Sequence, residues 1–466
     1  MTLIKSISGI RGTIGGMQGD NLTPIDIVKF TASFAEVLKN RVDHDDKLQV
    51  VVGRDARTSG MMVNNMVCGT LISMGLDVID VGLSTTPTVE MEVVHQKASG
   101  GIIITASHNP AQWNALKLLN DKGEFFSAQD GELVLKLAHN IDFPFAEVKQ
   151  LGTYTLVEDA IERHIQKILD LDLVDVDAIR NANLAVAIDC VNSTGGIALP
   201  KLLNALGVEK IHCLNCEPTG LFSHNPEPLP ENISELTSFV KEGNVDIGFV
   251  VDPDVDRLAI VKENGEVFGE EYTLVAIAEY VLQHTKGNTV SNLSSTQALK
   301  VITEQYACQY NAAAVGEVNV VEMMKKTHAV IGGEGNGGVI YPELHYGRDA
   351  LVGIALFLTY MAKTNQTASQ IRSKLPDFYI SKNKITLDEN IDTDELLEAI
   401  KERYKKQPII DIDGVRIDFD GQWVHLRKSN TEPIIRIYAE SNSEATAANL
   451  ARKIMSDISE YSQRRL

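Results

Sequence analysis

Apolar positions in the first third of the chain follow two alternating patterns. Short β-branched runs have strand length and composition: Leu48 to Val52 and Leu76 to Val81, closed by Gly53 and Gly82, then Gly101 to Thr105. Between them the spacing is helical. From Thr23, with Pro24 in the first turn, Val28, Ala32, Ala35 and Leu38 fall on one face, and further helices start at Ser59 and near Thr88. Strands alternating with helices predict a largely parallel sheet.

The same grammar returns twice. Strands are expected at Leu184 to Cys190, Glu209 to Leu214 and Val245 to Val251, with helices at Gly195 to Leu206 and around Ile233 to Lys241. A third round runs through Thr289 to Leu293, Thr296 to Tyr306, Ala312 to Val315, Val320 to Lys326 and Ala329 to Gly332. Rounds of similar size imply repeated architecture without a residue-level repeat. After about Lys374 the rhythm changes to a strand, a helix, paired strands and a final helix, which reads as a smaller α+β domain. Boundaries are sought at Phe143 to Thr153, at the turn after Asp256 and at Asn365 to Asp377. The expected division is 1–152, 153–262, 263–370 and 371–466.

Composition narrows the function classes. The 466 residues are 44% hydrophobic and 23% charged, which places the chain among globular proteins with a large core. Lys and Arg number 43 against 63 Asp and Glu, a formal charge of −20 with no basic run, so nucleic acid and anionic membranes are not expected partners. Apolar runs are strand-sized, predicting neither export signal nor membrane span, and a cytoplasmic location. The five cysteines are Cys68, Cys190, Cys213, Cys216 and Cys308. Cys213 lies in the apolar run Lys210 to Leu214 and no second pair follows Cys213 and Cys216, so these two are expected as buried thiols rather than a zinc site.

Four segments carry candidate chemistry. Thr105-Ala106-Ser107-His108-Asn109-Pro110 follows a strand directly, placing Ser107 at the carboxyl end of a sheet, where open α/β sheets bind ligands; an ordinary turn is the alternative. In Asp252-Pro253-Asp254-Val255-Asp256-Arg257, extended backbone would aim three carboxylates the same way, where they repel unless a hard cation such as Mg²⁺ neutralises them. An EF-hand is excluded, because Arg257 stands where glycine is required. In Gly332-Gly333-Glu334-Gly335-Asn336-Gly337-Gly338, Glu334 and Asn336 could share a face and bind vicinal sugar hydroxyls, although a hairpin explains the glycines equally well. In Arg427-Lys428-Ser429-Asn430-Thr431-Glu432-Pro433, with Arg436 beyond, a guanidinium fork, hydroxyls and an amide suit a phosphate dianion. Arg11, Arg54, Arg57 and Lys117 stand near the first two segments.

Together these motifs, in this order and one to each successive domain, resemble the α-D-phosphohexomutase family from Ile7 to about Glu440. The resemblance implies three similar mixed-sheet α/β domains plus a smaller α+β C-terminal domain around a central cleft. It implies that Ser107 carries a phosphoryl group and that Asp252, Asp254 and Asp256, with that phosphate, hold Mg²⁺. Glu334 and Asn336 would read sugar hydroxyls, and Arg427, Ser429, Asn430, Thr431 and Arg436 the phosphate that is not reacting. Lys117 matches the family's general acid/base and Arg11 its N-terminal arginine, with His108 and Arg257 completing the catalytic set. Asn336 and Gly338 replace a serine and a histidine of the family's sugar loop, and His345 stands as the substitute for that histidine. Ser6-Ile7-Ser8-Gly9 and Val315-Gly316-Glu317-Val318-Asn319 look like an archaeal-type branch whose members include phosphoglucosamine mutases and broader sugar phosphomutases.

The expected reaction is interconversion of hexose 6-phosphate and hexose 1-phosphate through phosphoserine and a 1,6-bisphosphate, which also serves as activator. Glucosamine phosphate is the first substrate expectation, glucose or mannose phosphate the second. Lys117 would exchange the hydroxyl proton with its pKa lowered by neighbouring cations. Rivals from other classes are a phosphatase using Asp252 as nucleophile and a silent sugar-phosphate sensor. The expected partner is a small phosphosugar, and the expected state a monomer or homodimer.

Overall fold

The computed structural model describes the whole chain except residues 1, 7–8, 42–46, 140–141, 244, 388–390, 429–433 and 466, and leaves out the side chains of 462–465. Three α/β units repeat one topology. In the first, strands Gln49–Arg54, Asp77–Leu83, Gly100–Ile104 and Trp113–Leu119 lie in the spatial order fourth, third, first, second. Strands Ala185–Asp189, Lys210–Leu214, Ile247–Val251 and Leu258–Lys262 repeat that order. So do Asn288–Asn292, Tyr310–Ala313, Ala329–Glu334 and Gly338–Ile340. The first three strands of each unit are parallel, and the fourth folds back antiparallel on the third.

That antiparallel fourth strand corrects the expectation of a largely parallel first sheet. Strands Ile4–Ser6 and Gly9–Thr13 extend the antiparallel side, and Tyr154–Leu156 adds a parallel strand at the other edge, making seven strands. The sheet therefore runs past the expected boundary at 152. The turn after Asp256 is no boundary either, because Ile247–Val251 and Leu258–Lys262 pair across it. The boundary at 370 falls inside the helix Ala368–Arg372. Beyond it, an antiparallel sheet of five strands from Tyr379 to Ser441 packs with helices Thr393–Arg403 and Glu444–Arg465.

Local chemistry explains the elements. The helix Pro24–Lys39 starts where Thr23 and Asp26 close a capping box and Pro24 fixes the first turn. Its core face is Ile27, Phe30, Phe34 and Val37 together with Ala32, Ala35 and Leu38, whereas Val28, expected inside, is exposed. Fifteen residues form the helix Ala350–Thr364, and its residues from Ala350 to Met361 are all buried. A helix apolar all round belongs in an interior; this one packs against Glu270–His284 and Val176–Ala182. Asp349 starts it, its Oδ1 accepting from the amides of Leu351 and Val352. Cys213 and Cys216, expected buried, are not: Cys213 is exposed, since Lys210–Leu214 is an edge strand, and Cys216 is half-buried, whereas Cys68 and Cys190 are buried. Among the described residues no helix is long and apolar enough to cross a membrane.

The repeat positions the site. The link from third to fourth strand carries the serine loop in the first unit, the aspartate loop in the second and the Glu334 turn in the third. All three leave the carboxyl end of a parallel strand, the place where α/β sheets expose ligand-binding loops.

Candidate active site

Ser107 follows the buried strand Gly100–Ile104 in a left-handed conformation, φ 49°. Its amide donates to Thr105 Oγ1 at 2.9 Å, and its carbonyl accepts from Arg57. Arg57, expected only as a cation near the site, is a buried clamp. Its guanidinium donates to the carbonyls of Ser107, Asn109, Pro110 and Trp113 and pairs with Asp55 at 2.9 Å. Five donors in a rigid fork suit such a task. The clamp leaves Ser107 Oγ free to donate to Asp252 Oδ2 at 2.6 Å, across the contact between first and second units.

Asp252, Asp254 and Asp256 are completely buried and lie close enough to share one cation. The chain does not run extended through them. Val255 takes φ 62°, a conformation strained for a β-branched residue and worth roughly 1–3 kcal/mol. Tertiary bonds hold it there: its carbonyl accepts from the Ala350 amide at 3.2 Å. Burial, then Asp254 and Asp256, push the Asp252 carboxyl well above its ordinary pKa. Asp254 is also buried, but Lys117 at 2.7 Å and Thr86 Oγ1 at 2.6 Å accompany it, and its pKa is lowered. Asp254 Oδ1 and Asp256 Oδ1 are buried with no hydrogen-bond partner. Buried carboxylate oxygens without partners are costly unless something else satisfies them, and a small hard cation fits this all-oxygen set.

Lys117 departs from expectation. Burial alone would disfavour its charge, yet Asp254 and Asp256, the latter at 3.3 Å, raise its pKa rather than lower it. His108 Nδ1 lies 3.3 Å from Ser107 Oγ, and burial with the nearby Arg257 pushes the imidazole down to about 2, so it is neutral at pH 7. Arg257 reaches Glu227 at 3.3 Å, and its Nε is buried without a partner.

A cleft of about 460 Å³ joins these residues, lined by Arg11, Ser107, His108, Lys117, Arg257 and Glu334 among others. Glu334 accepts from Asn292 Nδ2 at 2.8 Å, from the Gly316 amide at 3.2 Å and from Arg348 at 2.9 Å. Asn336 does not share its face. Residues 335–337 form the tight turn between Ala329–Glu334 and Gly338–Ile340, and Asn336 Oδ1 turns back onto the Gly338 amide at 3.2 Å. His345 is not in the cleft lining either; it faces Glu90 and Asp349, each at 3.3 Å.

Arg348 stands where sequence reasoning looked for a histidine. Its guanidinium reaches Asp256 at 2.8 Å, Glu334 at 2.9 Å and Glu317 at 3.0 Å, and these carboxylates keep it charged although it is buried. An arginine between three carboxylates, from the aspartate loop, the start of the helix Glu317–Thr327 and the end of the strand Ala329–Glu334, joins the aspartate loop to the Glu334 turn. The only signal in the sequence was a lone Arg in the loop after the glycines. Val315 to Asn319, noted earlier only for its branch likeness, also lines the cleft.

Arg427 and Arg436 lie opposite each other on strands Gln422–Lys428 and Ile434–Ser441, a pairing that like charges disfavour. Asp413 holds Arg427 at 2.9 Å. Arg436 approaches Arg11, whose pKa is lowered by burial and then by that neighbour. Arg436 thus has guanidinium neighbours from its own domain and from the first, a repulsion that a bound anion would relieve. Ser429, Asn430 and Thr431 lie outside the described residues.

The sequence matches all four domains of the phosphoglucomutase/phosphomannomutase family: alpha/beta/alpha domain I over residues 3–145, domain II over 162–265, domain III over 269–379 and the C-terminal domain over 384–456. A phosphoglucomutase/phosphomannomutase of Thermococcus kodakarensis is 34% identical over 94% of this chain and 95% of its own. A phosphoglucosamine/phosphogalactosamine mutase of Sulfurisphaera tokodaii is 32% identical over 96% and 97%. Among solved structures, a phosphoglucomutase/phosphomannomutase family protein from Burkholderia thailandensis superposes with a TM-score of 0.84 at 23% identity, covering 99% of this chain and 97% of the other. With all four domains matched in order and relatives above 30% identity along nearly its whole length, the chain belongs to the phosphoglucomutase/phosphomannomutase family of α-D-phosphohexomutases, enzymes that isomerise sugar phosphates by phosphoryl transfer.

Proposed function

We propose that this chain interconverts hexose 6-phosphate and hexose 1-phosphate through phosphoserine 107, with glucosamine 6-phosphate as the preferred substrate. The observation that carries this reading is Ser107, lining the cleft with its Oγ 2.6 Å from Asp252 Oδ2, which shares a buried cluster with two further carboxylates. The phosphoryl group leaves Ser107 Oγ for a sugar hydroxyl, giving a 1,6-bisphosphate that turns around in the cleft and returns its other phosphoryl. Free 1,6-bisphosphate would prime the serine.

Asp252, Asp254 and Asp256 fit Mg²⁺ by their unpartnered oxygens, and the ion would act as a Lewis acid on the transferring phosphoryl. Lys117, held protonated by the aspartates, enters as the acid that gives a proton to Ser107 Oγ, and its amine then takes up the proton that the sugar hydroxyl releases as its bond to phosphorus forms, so Lys117 ends the step as it began. Arg257 and Arg11 offset phosphate charge in the cleft. Arg427 and Arg436, with Ser429, Asn430 and Thr431, would hold the distal phosphate. Glu334 receives sugar hydroxyls from either orientation of the ring, and the divided cleft closes around the substrate to exclude water.

Preference for an amino sugar is supported by the mutase of Sulfurisphaera tokodaii and by Glu322, an exposed carboxylate lining the cleft and suited to a 2-ammonium group. The name of the Thermococcus kodakarensis relative favours the second reading, glucose or mannose phosphate. Intact mass and a substrate panel test both levels. The proposal expects phosphate on Ser107, no isomerisation by Ser107→Ala, and the highest kcat/KM for glucosamine 6-phosphate, reduced selectively by Glu322→Gln. Phosphate trapped on Asp252 would replace the mutase with a hydrolase. Equal or better turnover of glucose or mannose phosphate would select the second reading.

A further inference from the structure

A second cluster of metal-ligating side chains lies apart from the aspartate loop. His164, on the helix Ala160–Leu169, and Asp349, ahead of Ala350–Thr364, are 185 positions apart, yet His164 Nε2 lies 2.9 Å from Asp349 Oδ2. His345 Nε2 comes to the same oxygen at 3.3 Å. The three ligand atoms lie within 4.8 Å of one another. His164 and Asp349 are buried, and only His345, with 12% of its side chain exposed, opens to solvent.

Each group is oriented as a ligand from behind. His164 Nδ1 meets Thr88 Oγ1 at 2.9 Å, and His345 Nδ1 faces Glu90 Oε2 at 3.3 Å, so both rings turn Nε2 toward the same oxygen. Ligating histidines are held in this way, the remote ring nitrogen bonded to an oxygen. Asp349 spends Oδ1 on the helix amides and leaves Oδ2 to the cluster. Tetrahedral ligands about 2.0–2.1 Å from a metal stand roughly 3.3 Å apart; the two imidazoles stand 2.9 and 3.3 Å from Asp349 Oδ2.

We propose that His164, His345 and Asp349 form a binding site for a borderline-soft divalent cation, Zn²⁺ in the first instance, with solvent entering past His345 as fourth ligand. Two imidazoles and one carboxylate suit zinc, whereas the all-carboxylate loop suits magnesium. The site would brace the frame of the active site rather than join its chemistry. It ties together the helix Thr86–His95, the helix Ala160–Leu169 and the segment before Ala350. Thr86, one turn before Glu90, bonds Asp254 through both its amide and its hydroxyl.

Cobalt, a spectroscopic stand-in for zinc, tests the site in the full chain. Chelator-stripped protein is titrated with Co²⁺ in excess Mg²⁺, which occupies the aspartate loop. The expected result is strong visible absorption of a four-coordinate ion, saturating at about one equivalent per chain, bleached by Zn²⁺, with a raised melting temperature. His345→Gln and His164→Gln should abolish the absorption, and Asp252→Asn should leave it. If His164→Gln fails to fold, His345→Gln, at the partly exposed position, decides alone. Absence of absorption in the unaltered protein, or its persistence in His345→Gln, would overturn the assignment.

Discussion

Arg348 lies across Gly338: a Cβ on that glycine would stand 2.4 Å from Arg348 Cδ. The glycine therefore makes room for the guanidinium that joins Asp256 to Glu334. Replacing Gly338 with Ala should push Arg348 aside and lower kcat/KM by at least about tenfold, because misplacing a positioning group by an ångström is costly. Arg348→Gln should lose more. It leaves buried carboxylates unpaired, a change worth about 3–5 kcal/mol of stability when a buried pair is broken. Apparent Mg²⁺ affinity should not weaken, since a cation beside Asp256 has been removed. Steady-state kinetics, thermal denaturation and Mg²⁺ titration check all three; a tenfold weaker Mg²⁺ site in Arg348→Gln would refute the account.

Asp252 and Asp254 should answer substitution with opposite signs of stability. Burial and its two neighbours raise the Asp252 pKa, whereas Lys117 and Thr86 outweigh burial and lower that of Asp254. Ionised Asp252 is thus disfavoured by folding, and ionised Asp254 is favoured. In EDTA, Asp252→Asn should melt higher than the unaltered protein and Asp254→Asn lower, while both lose at least about a hundredfold in turnover. Mutual repulsion of the three carboxylates, taken alone, would leave the fold untouched by Asp254→Asn. The Lys117 contact at 2.7 Å is what changes that expectation. Melting curves without metal separate the two accounts.

Those two aspartates also mark how far the sequence could be read. Alternation of apolar runs placed the three parallel strands that every α/β unit shares, because such strands leave short continuous apolar stretches, but not the antiparallel Trp113–Leu119 and Gly338–Ile340. Ser107 and the aspartates were legible because each follows such a strand directly. What the sequence concealed was side-chain direction in turns. Asn336 and Glu334, two apart, seemed to share a face, but the turn between strands sends Asn336 back to the Gly338 amide. Likewise the sign of the Lys117 shift depends on Asp254 and Asp256, over 130 positions away, which spacing along the chain does not disclose. Arg348 was hidden for the same reason: its three partners come from separate segments of the chain.

Arg427 faces Arg436 across neighbouring strands, and Arg11 approaches from the first domain. An anion relieves that repulsion. Arg427→Ala should therefore raise KM about tenfold or more for every phosphosugar, with a smaller effect on kcat, because the contact is with the phosphate common to all of them. Parallel assays with glucosamine, glucose and mannose phosphates check this. An unchanged KM would remove Arg427 from the phosphate site.

Glu271 supplies a pH-dependent weakness in the third unit. Burial, opposed by Lys382 and reinforced by Glu270, pushes its carboxyl up to about 8 from an ordinary 4.5. The folded protein thus keeps a proton that the unfolded chain releases. With more protons bound in the native state, stability falls as pH rises between about 4.5 and 8, the reverse of an ordinary ion-paired carboxylate. Glu271→Gln keeps an oxygen for the Thr296 amide, which Glu271 now accepts at 2.9 Å, and removes the titration. The variant should match the unaltered protein at pH 4.5 and melt several degrees higher at pH 9. Melting temperatures measured across that range decide it: parallel curves for the two proteins would mean that Glu271 is ionised in the folded state at neutral pH and that Lys382, 3.9 Å away, outweighs its burial.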